Sequence, residues 1–531
     1  MASPRTLPRE VDTLIVGNGP SALILSYILH GHIPVYDVEN PHPDSILHEK
    51  LRHTSNLVDL DVDHFTEHFL ASRYSYSTQA LPVNVLLDAL IRPYGESEGT
   101  ASCVKWEYDP SRAVSHAIVG DTHDAGGQWV DNPVQASWDI GTLSYAGMLS
   151  LPGYTFAEHY ENHHGEPLPF YMRPTRREVA GYFAAYPSQA GISDSVYNDV
   201  RLSDISRTED GFFVQSHGLK CRHLVLATGI FSELIPPRPL LQPLKVLPPL
   251  PPTPTKLPLL VIGSGFSAAD IIISSSPAQK LMHIFKWDPA HRPSPLRACH
   301  ADSYPEYAGV YKRMKLAALS PKASRDRRPK PHRTRSTTFD LNRNWDQTYE
   351  GLPNTEIIAV DVSDCGSEAT LKLRNSAGEV HERHISAMAY VVGRRGSLDY
   401  LSRDLKSELV PELSQSGDLS LITGQTLREK ANEDMEVAPD VFIIGSLTGD
   451  SLIRFSYGSC AHTAGKIMSR SNAVESHGNL NGTAILANGN KPSPKKSVRD
   501  SPRVPAMNGF DGHTTYARRL SEQDLEHIST R

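Results

Sequence analysis

The chain carries the same device twice. Val11-Asp-Thr-Leu-Ile-Val-Gly17-Asn-Gly19-Pro-Ser-Ala22 and Leu259-Leu-Val-Ile-Gly263-Ser-Gly265-Phe-Ser-Ala268 each run from an apolar stretch of strand length, through G-x-G-x-x-A, into a segment that suits a helix. In such a strand–turn–helix the first glycine permits the tight turn. The second lets backbone approach a pyrophosphate, and the third position must be small so that helix and strand can touch. The exposed amides and the positive end of the helix then hold the phosphates. One such loop is often only a turn. Two in this context predict two dinucleotides exchanging electrons, hence an α/β fold with two Rossmann-like dinucleotide-binding domains, the second inserted into the first.

At the first loop the candidate ligand contacts are Gly17, Gly19, Pro20 and Ser21. About 20 residues later stands Asp37, where a ribose hydroxyl would be bound; a solvated loop residue is the alternative. At the second loop the candidates are Gly263, Gly265, Ser267 and Ala268. The strand that follows, Leu281–Phe285, ends at Lys286, with Arg292 and Arg297 close behind. Cations there suit a 2′-phosphate and favour NADPH over NADH, while Asp288 argues the other way. Gly126-Gly127-Gln-Trp129 offers glycines that pack flat against a planar ligand and an aromatic that walls it. Leu224-Val-Leu-Ala227-Thr228-Gly229 is a strand ending in small residues, echoed by Ala389–Gly393. Gly449-Asp450 follows a strand just before a helix, where Asp450 either meets a ligand or caps the helix.

Between these motifs the patterning predicts a helix over Val83–Leu90 and an exposed loop over Glu96–Val114. It also predicts a helix over Val179–Tyr186 ended by Pro187, and a hairpin of Val200–Ile205 with Phe212–His217. The proline-dense stretch Pro236–Pro258 reads as an extended connector that cannot join a sheet. The resulting organisation is a first dinucleotide domain over 1–235, the linker over 236–258, a second domain over 259–385 with a basic loop from Lys322 to Arg343, and a return to the first domain over 386–470. The segment 471–531 is rich in Asn, Gly, Ser, Pro and Lys and is expected to be disordered.

A formal charge of −7 gives no basic excess that would argue for nucleic acid. Five scattered cysteines without a C-x-x-C pair support neither a thiol–disulfide flavoenzyme nor a zinc module. The first strand begins too near Met1 for a secretory signal, and no apolar run approaches the ~20 residues of a membrane span, so a cytoplasmic protein is expected.

In this order the motifs resemble a class B flavin monooxygenase. The chain is more closely similar to one branch of that superfamily, the oxidative stress-induced growth inhibitor family. The residues that carry this are Ile15–Ala22, Pro41-His-Pro43, Leu60-Asp61, Leu86-Leu-Asp-Ala-Leu-Ile-Arg-Pro93, Gly126–Trp129 and Gly449-Asp-Ser-Leu-Ile-Arg-Phe455. The resemblance implies FAD on the first loop and NADPH on the second. It implies C4a-peroxide chemistry on an unknown small-molecule or protein substrate, and a link to cell growth, differentiation and cytokinesis. The tail's Ser493-Pro and Ser501-Pro beside Lys495, Lys496 and Arg499 suit either a weak nuclear signal, hence a nuclear or division-site pool, or a solvated spacer. It places Trp129, Thr228 and Asp450 beside the flavin. One departure stands out: the histidine-bearing fingerprint that many class B enzymes carry before the NADPH loop is missing, since Ile230–Pro258 contains no histidine. A regulatory flavoprotein acting through partners, using the basic loop and the tail, is therefore the alternative expectation.

Overall fold

The computed structural model describes residues 5–71, 80–97, 99, 101–319, 342–411, 421–431 and 435–478. Each glycine loop leaves the end of a parallel sheet. In the first sheet five strands run parallel in the order Val441–Ile443, Leu219–Leu226, Glu10–Val16, His116–Val119, Val196–Tyr197. Glu10–Val16 lies in the middle, and its Leu14 and Ile15 are fully buried, as a strand covered on both faces must be apolar on both. Helix Pro20–Leu29 follows, with every residue from Ala22 to Leu29 buried. Pro20 stands at its start, where no amide donor is needed.

The second sheet has the order Tyr349–Pro353, Leu281–Phe285, Leu259–Ile262, Ala387–Tyr390, again all parallel. An antiparallel sheet of Glu356–Val362, Ala369–Arg374 and Val380–Ile385 packs Leu371, Leu373 and Ile385 onto Leu260, Met282 and Met388. The chain leaves the first sheet along Glu233–Leu234 and returns along Arg394–Ser397. Those two segments are themselves hydrogen-bonded antiparallel, Leu234 opposite Arg394.

Several local expectations are corrected. Residues 96–114 are not simply loop, because Val104–Tyr108 pairs with His32–Tyr36, its charged Lys105 and Glu107 turned outward. Pro187 does not end its helix: Arg176–Gln189 runs through it, the missing amide falling in the last turn where one lost bond is tolerated. The hairpin joins Ile205–Thr208 to Gly211–Val214, a tighter turn than the expected pairing. Inside the proline stretch, Pro239–Val246 winds into a 3₁₀ turn, and Leu241, Leu244 and Leu247 are buried beside the antiparallel sheet. The last helix, Tyr457–Gly478, reaches past the expected start of disorder at residue 471. The basic run up to residue 341 and the tail from 479 lie outside the described residues. Arg343, the last of that run, is buried and donates to the carbonyls of Ser275 (2.8 Å) and Ser276 (2.6 Å), closing the helix that follows the second glycine loop.

One rearrangement bears on the site. The strand beside Glu10–Val16 is His116–Val119, not His32–Tyr36, which pairs only with Val104–Tyr108 among the described residues. Residues 31–115 are thus inserted between the first helix and the strand that completes its unit. The inserted helix Pro82–Ile91 packs on the final helix so closely that a Cβ at Gly458 would stand 2.1 Å from the Val83 carbonyl oxygen. Among the described residues no helix is long and apolar enough to cross a membrane.

Candidate functional site

Both glycine loops open into one continuous cleft of about 2230 Å³. Sites for drug-sized ligands occupy roughly 300–1,000 Å³, so this one has room for far larger occupants.

The first loop is fixed by backbone. The Gly17 amide donates to Val119 O (2.7 Å) and the Ala227 amide to Val16 O (2.8 Å), which clamps the turn between the neighbouring strands. Gly17 sits at φ +108°, and a Cβ there would lie 2.6 Å from Ala227 O. Gly19 differs: a Cβ on it would meet nothing within 4 Å, so this glycine faces the open cleft. Asn18, not singled out from sequence, ties the loop to its surroundings. Its Nδ2 donates to Asn198 Oδ1 (2.9 Å), and its backbone carbonyl accepts from the Gly126 amide (2.8 Å). That bond sets Gly127 against Gly19, where a Cβ on Gly127 would approach Gly19 Cα at 3.2 Å. Ser21 Oγ is 3.0 Å from Ser456 Oγ at the head of the last helix.

The second loop repeats the geometry. Gly263 has φ +151°, and a Cβ there would lie 2.4 Å from Val391 O and 3.4 Å from the Ala268 methyl, hence the need for two small residues. At Gly265 the nearest atom to such a Cβ is Pro295 Cγ at 3.9 Å. Buried His283 braces the turn: its Nε2 donates to Gly263 O (2.7 Å) and its Nδ1 accepts from the Tyr349 hydroxyl (2.8 Å). Burial pushes His283 down to about 4, so the ring is neutral and this pattern of donors is stable.

Most of the sequence candidates converge. Gly17, Gly19, Pro20, Ser21, Gly127, Trp129, Thr228 and Gly449 line one end of the cleft. Gly263, Gly265, Ser267, Lys286 and Arg292 line the other. Ala268 is buried behind its loop, and Arg297 turns away to donate to Pro289 O (3.2 Å).

Two candidates do not reach the cleft. Asp450 is buried with its carboxylate committed elsewhere: Oδ2 accepts from the Leu81 amide (2.9 Å) and Asn84 Nδ2 (2.7 Å) at the start of helix Pro82–Ile91, and Arg428 approaches Oδ1 at 3.4 Å. It anchors the inserted segment. Asp37 follows a strand that is not in the main sheet, and its carboxylate accepts from the Glu39 amide (3.1 Å) and Asn40 Nδ2 (2.7 Å). A ribose-binding acid stands at the carboxyl end of the strand next to the first. That strand is His116–Val119, and the acid just beyond it, Asp121, is exposed and lines the cleft. Spacing counted along the chain missed it because the insertion intervenes. The signal was local all the same: Asp121 stands five residues before Gly126, so strand, acid and glycine pair are contiguous.

Fold and cleft together define an α/β protein built around two dinucleotide-type loops. No protein-family model matches the chain. Over most of its length it is similar to the oxidative stress-induced growth inhibitors. It is 24% identical to oxidative stress-induced growth inhibitor 1 of Mus musculus over 511 residues, which covers 87% of this chain and 95% of that protein. An oxidative stress induced growth inhibitor homologue of Caenorhabditis elegans is 28% identical over 234 residues, covering 41% of this chain and 48% of that protein. Among solved structures, the flavin-containing monooxygenase from Stenotrophomonas maltophilia aligns with a TM-score of 0.45 at 15% identity, over 87% of this chain and 99% of that one.

Proposed function

We propose that this chain is an FAD-containing, NADPH-dependent oxidoreductase of the flavin monooxygenase type, serving growth control as the names of its relatives suggest. The observation that carries the reading is the single cleft into which both loops open. The residues fit the groups: Gly19 leaves free space over the amides at the head of helix Pro20–Leu29, and Gly265 does the same at helix Phe266–Ser274. FAD would be held by Gly17, Gly19, Pro20 and Ser21, with Asp121 on its ribose and Gly127, Trp129 and Thr228 along its length. NADPH would be held by Gly263, Gly265 and Ser267, with Lys286 and Arg292 for the 2′-phosphate. When bound, the pair supplies hydride transfer and reduction of dioxygen. The chain's own contribution is to orient the two groups, exclude water and receive the substrate.

Anaerobic addition of NADPH to the purified protein is expected to bleach its visible flavin absorbance; an unchanged spectrum of a flavin-loaded sample overturns the reading. Loss of the Asp121 carboxylate removes charged hydrogen bonds to a ribose, worth about 1.5 kcal/mol or roughly tenfold in affinity. Asp121→Ala should therefore weaken FAD binding about tenfold in a fluorescence titration, and Asp37→Ala should leave it within about twofold. The reverse order would restore Asp37 to the ribose. A regulatory flavoprotein with little turnover is favoured by one observation, the interval Ile230–Pro258 without a histidine. Slow bleaching that no substrate accelerates would select it.

A further inference from the structure

Three charged side chains meet in the wall of the cleft between the two loops, and none belongs to either loop: Arg176, Arg394 and Asp270. Arg176 opens helix Arg176–Gln189 and is 8% exposed. Its guanidinium lies 4.0 Å from the centre of the Trp138 ring. Among the described residues it makes no side-chain hydrogen bond or ion pair, and its Nε is buried with no acceptor. Arg394, on the returning strand, donates from Nη1 to Gln128 Oε1 (3.0 Å), lies within 3.5 Å of Asn132 Oδ1, and sits 4.7 Å over the Phe231 ring. Asp270 Oδ1 accepts from the Tyr307 hydroxyl (2.8 Å). Its carboxylate and that of Asp131 attract Arg176 across the cleft without contact.

A guanidinium this buried is costly unless an anion meets it. Two of them facing one space, each stacked on an aromatic ring, present forks of donors matched to a planar oxyanion. The phosphates of a dinucleotide would be met at the loops, by backbone amides and by the exposed Lys286 and Arg292. Arg176 and Arg394 lie outside the two glycine-loop motifs, Arg176 over the Trp138 ring and Arg394 beside Gln128 and the Phe231 ring. We propose that Arg176 and Arg394 form a carboxylate subsite, so that the substrate of the proposed oxidoreductase is an organic acid. This deepens the preceding reading and rests on it.

Asp270 tunes the subsite. Burial pushes its carboxyl up to about 6; Glu306 adds to the rise, while Tyr307, Arg394 and Arg176 oppose it. Above that pH its charge repels an incoming anion, so Asp270→Asn should tighten anion binding severalfold at pH 7.5.

The probe is sodium benzoate, followed by thermal unfolding of the full chain after its flavin spectrum has been recorded. Benzoate is expected to raise the unfolding temperature of the unmodified protein. Arg176→Met keeps an apolar stem over Trp138, and should weaken benzoate at least about tenfold while the free protein is no less stable, since a buried unpaired charge has gone. Arg177→Met, at an exposed neighbour paired to Asp139 at 3.1 Å, should change neither quantity. With NADP⁺ present at saturation the benzoate effect should persist, and NADP⁺ affinity should match in the Arg176→Met protein. The proposal is overturned if benzoate has no effect, if Arg176→Met binds it equally well, or if that variant is markedly destabilised. It is also overturned if NADP⁺ abolishes the benzoate effect and is itself weakened by Arg176→Met, which would assign the subsite to a dinucleotide phosphate. None of these readouts depends on bleaching by NADPH, so this proposal and the oxidoreductase reading fail separately.

Discussion

Gly17→Ala should leave a crippled fold, and Gly19→Ala a sound fold with a weakened hold on the FAD proposed for this loop. At Gly17 the added methyl would lie 2.6 Å from Ala227 O and 3.0 Å from the Thr228 amide nitrogen, on a backbone at φ +108°. Both obstacles are main chain held in the sheet, so neither can move aside cheaply. Backbone strain and overpacking together cost about 3–5 kcal/mol, a fall of roughly 3–8 °C in unfolding temperature or loss of soluble protein. At Gly19 the methyl meets nothing and φ is −75°, so stability should hold within about 0.5 kcal/mol. The methyl instead fills the space through which a pyrophosphate reaches the amides, and affinity should fall more than about tenfold. The second loop offers the same contrast between Gly263→Ala and Gly265→Ala. Thermal unfolding and ligand titration on the four variants check the pattern. A Gly19→Ala protein that keeps its ligand, or a Gly17→Ala protein as stable as its parent, would contradict it.

Acid should begin to destabilise this protein below about pH 6.5, before most of its carboxylates titrate. His116, His159 and His283 are all buried, and burial holds each down to about 4 against an ordinary value of 6.5. His116 is bound through Nε2 to Ser26 Oγ (2.8 Å) and through Nδ1 to Val114 O (2.7 Å), and its burial disfavours the charge that protonation would place on the ring. The folded state keeps these rings neutral where the unfolded chain protonates them. Their contribution is therefore complete above pH 6.5 and drains away as pH falls toward 4. At about 1.4 kcal/mol per pKa unit the three sum to several kcal/mol. Asp270, raised to about 6, acts with the opposite sign over nearly the same window, but it is one partly accessible group against three. Urea unfolding between pH 7.5 and 4.5 should show the midpoint falling steadily below pH 6.5. A flat or rising midpoint would refute the argument, and His283→Gln should reduce the slope.

The sheets were legible because their signals are local. Six consecutive residues, Val11–Val16, and four, Leu259–Ile262, announce buried parallel strands, and the glycines after them are dictated by atoms on the same turn. What was missed depends on partners distant in sequence. Val104–Tyr108 alternates Val, Trp and Tyr with Lys and Glu, but it is five residues long within a polar, turn-rich stretch, and its partner His32–Tyr36 lies about 70 residues earlier. Asp450 looks like any acid before a helix, and only the arrival of Leu81 and Asn84 fixes its role. Arg176 and Arg394 carry no motif at all, since two arginines far apart in a chain have no spacing to recognise. Two of the blocks that carry the resemblance, Leu86–Pro93 and Gly449–Phe455, turn out to meet in the inserted segment and its clamp, where Asp88 accepts from Arg454 at 2.6 Å.

The pairing of Glu233–Leu234 with Arg394–Ser397 has an architectural consequence. The departing and returning ends of the second sheet's unit are one hydrogen-bonded strand spacing apart, about 5 Å. A gap that small can be closed by a short turn, so the host sheet gives up no strand of its parallel core when the unit is removed. The chain is therefore a cassette in a frame. A gene encoding the frame alone could acquire or shed the second glycine-loop unit in one event, because that unit's two connections meet side by side.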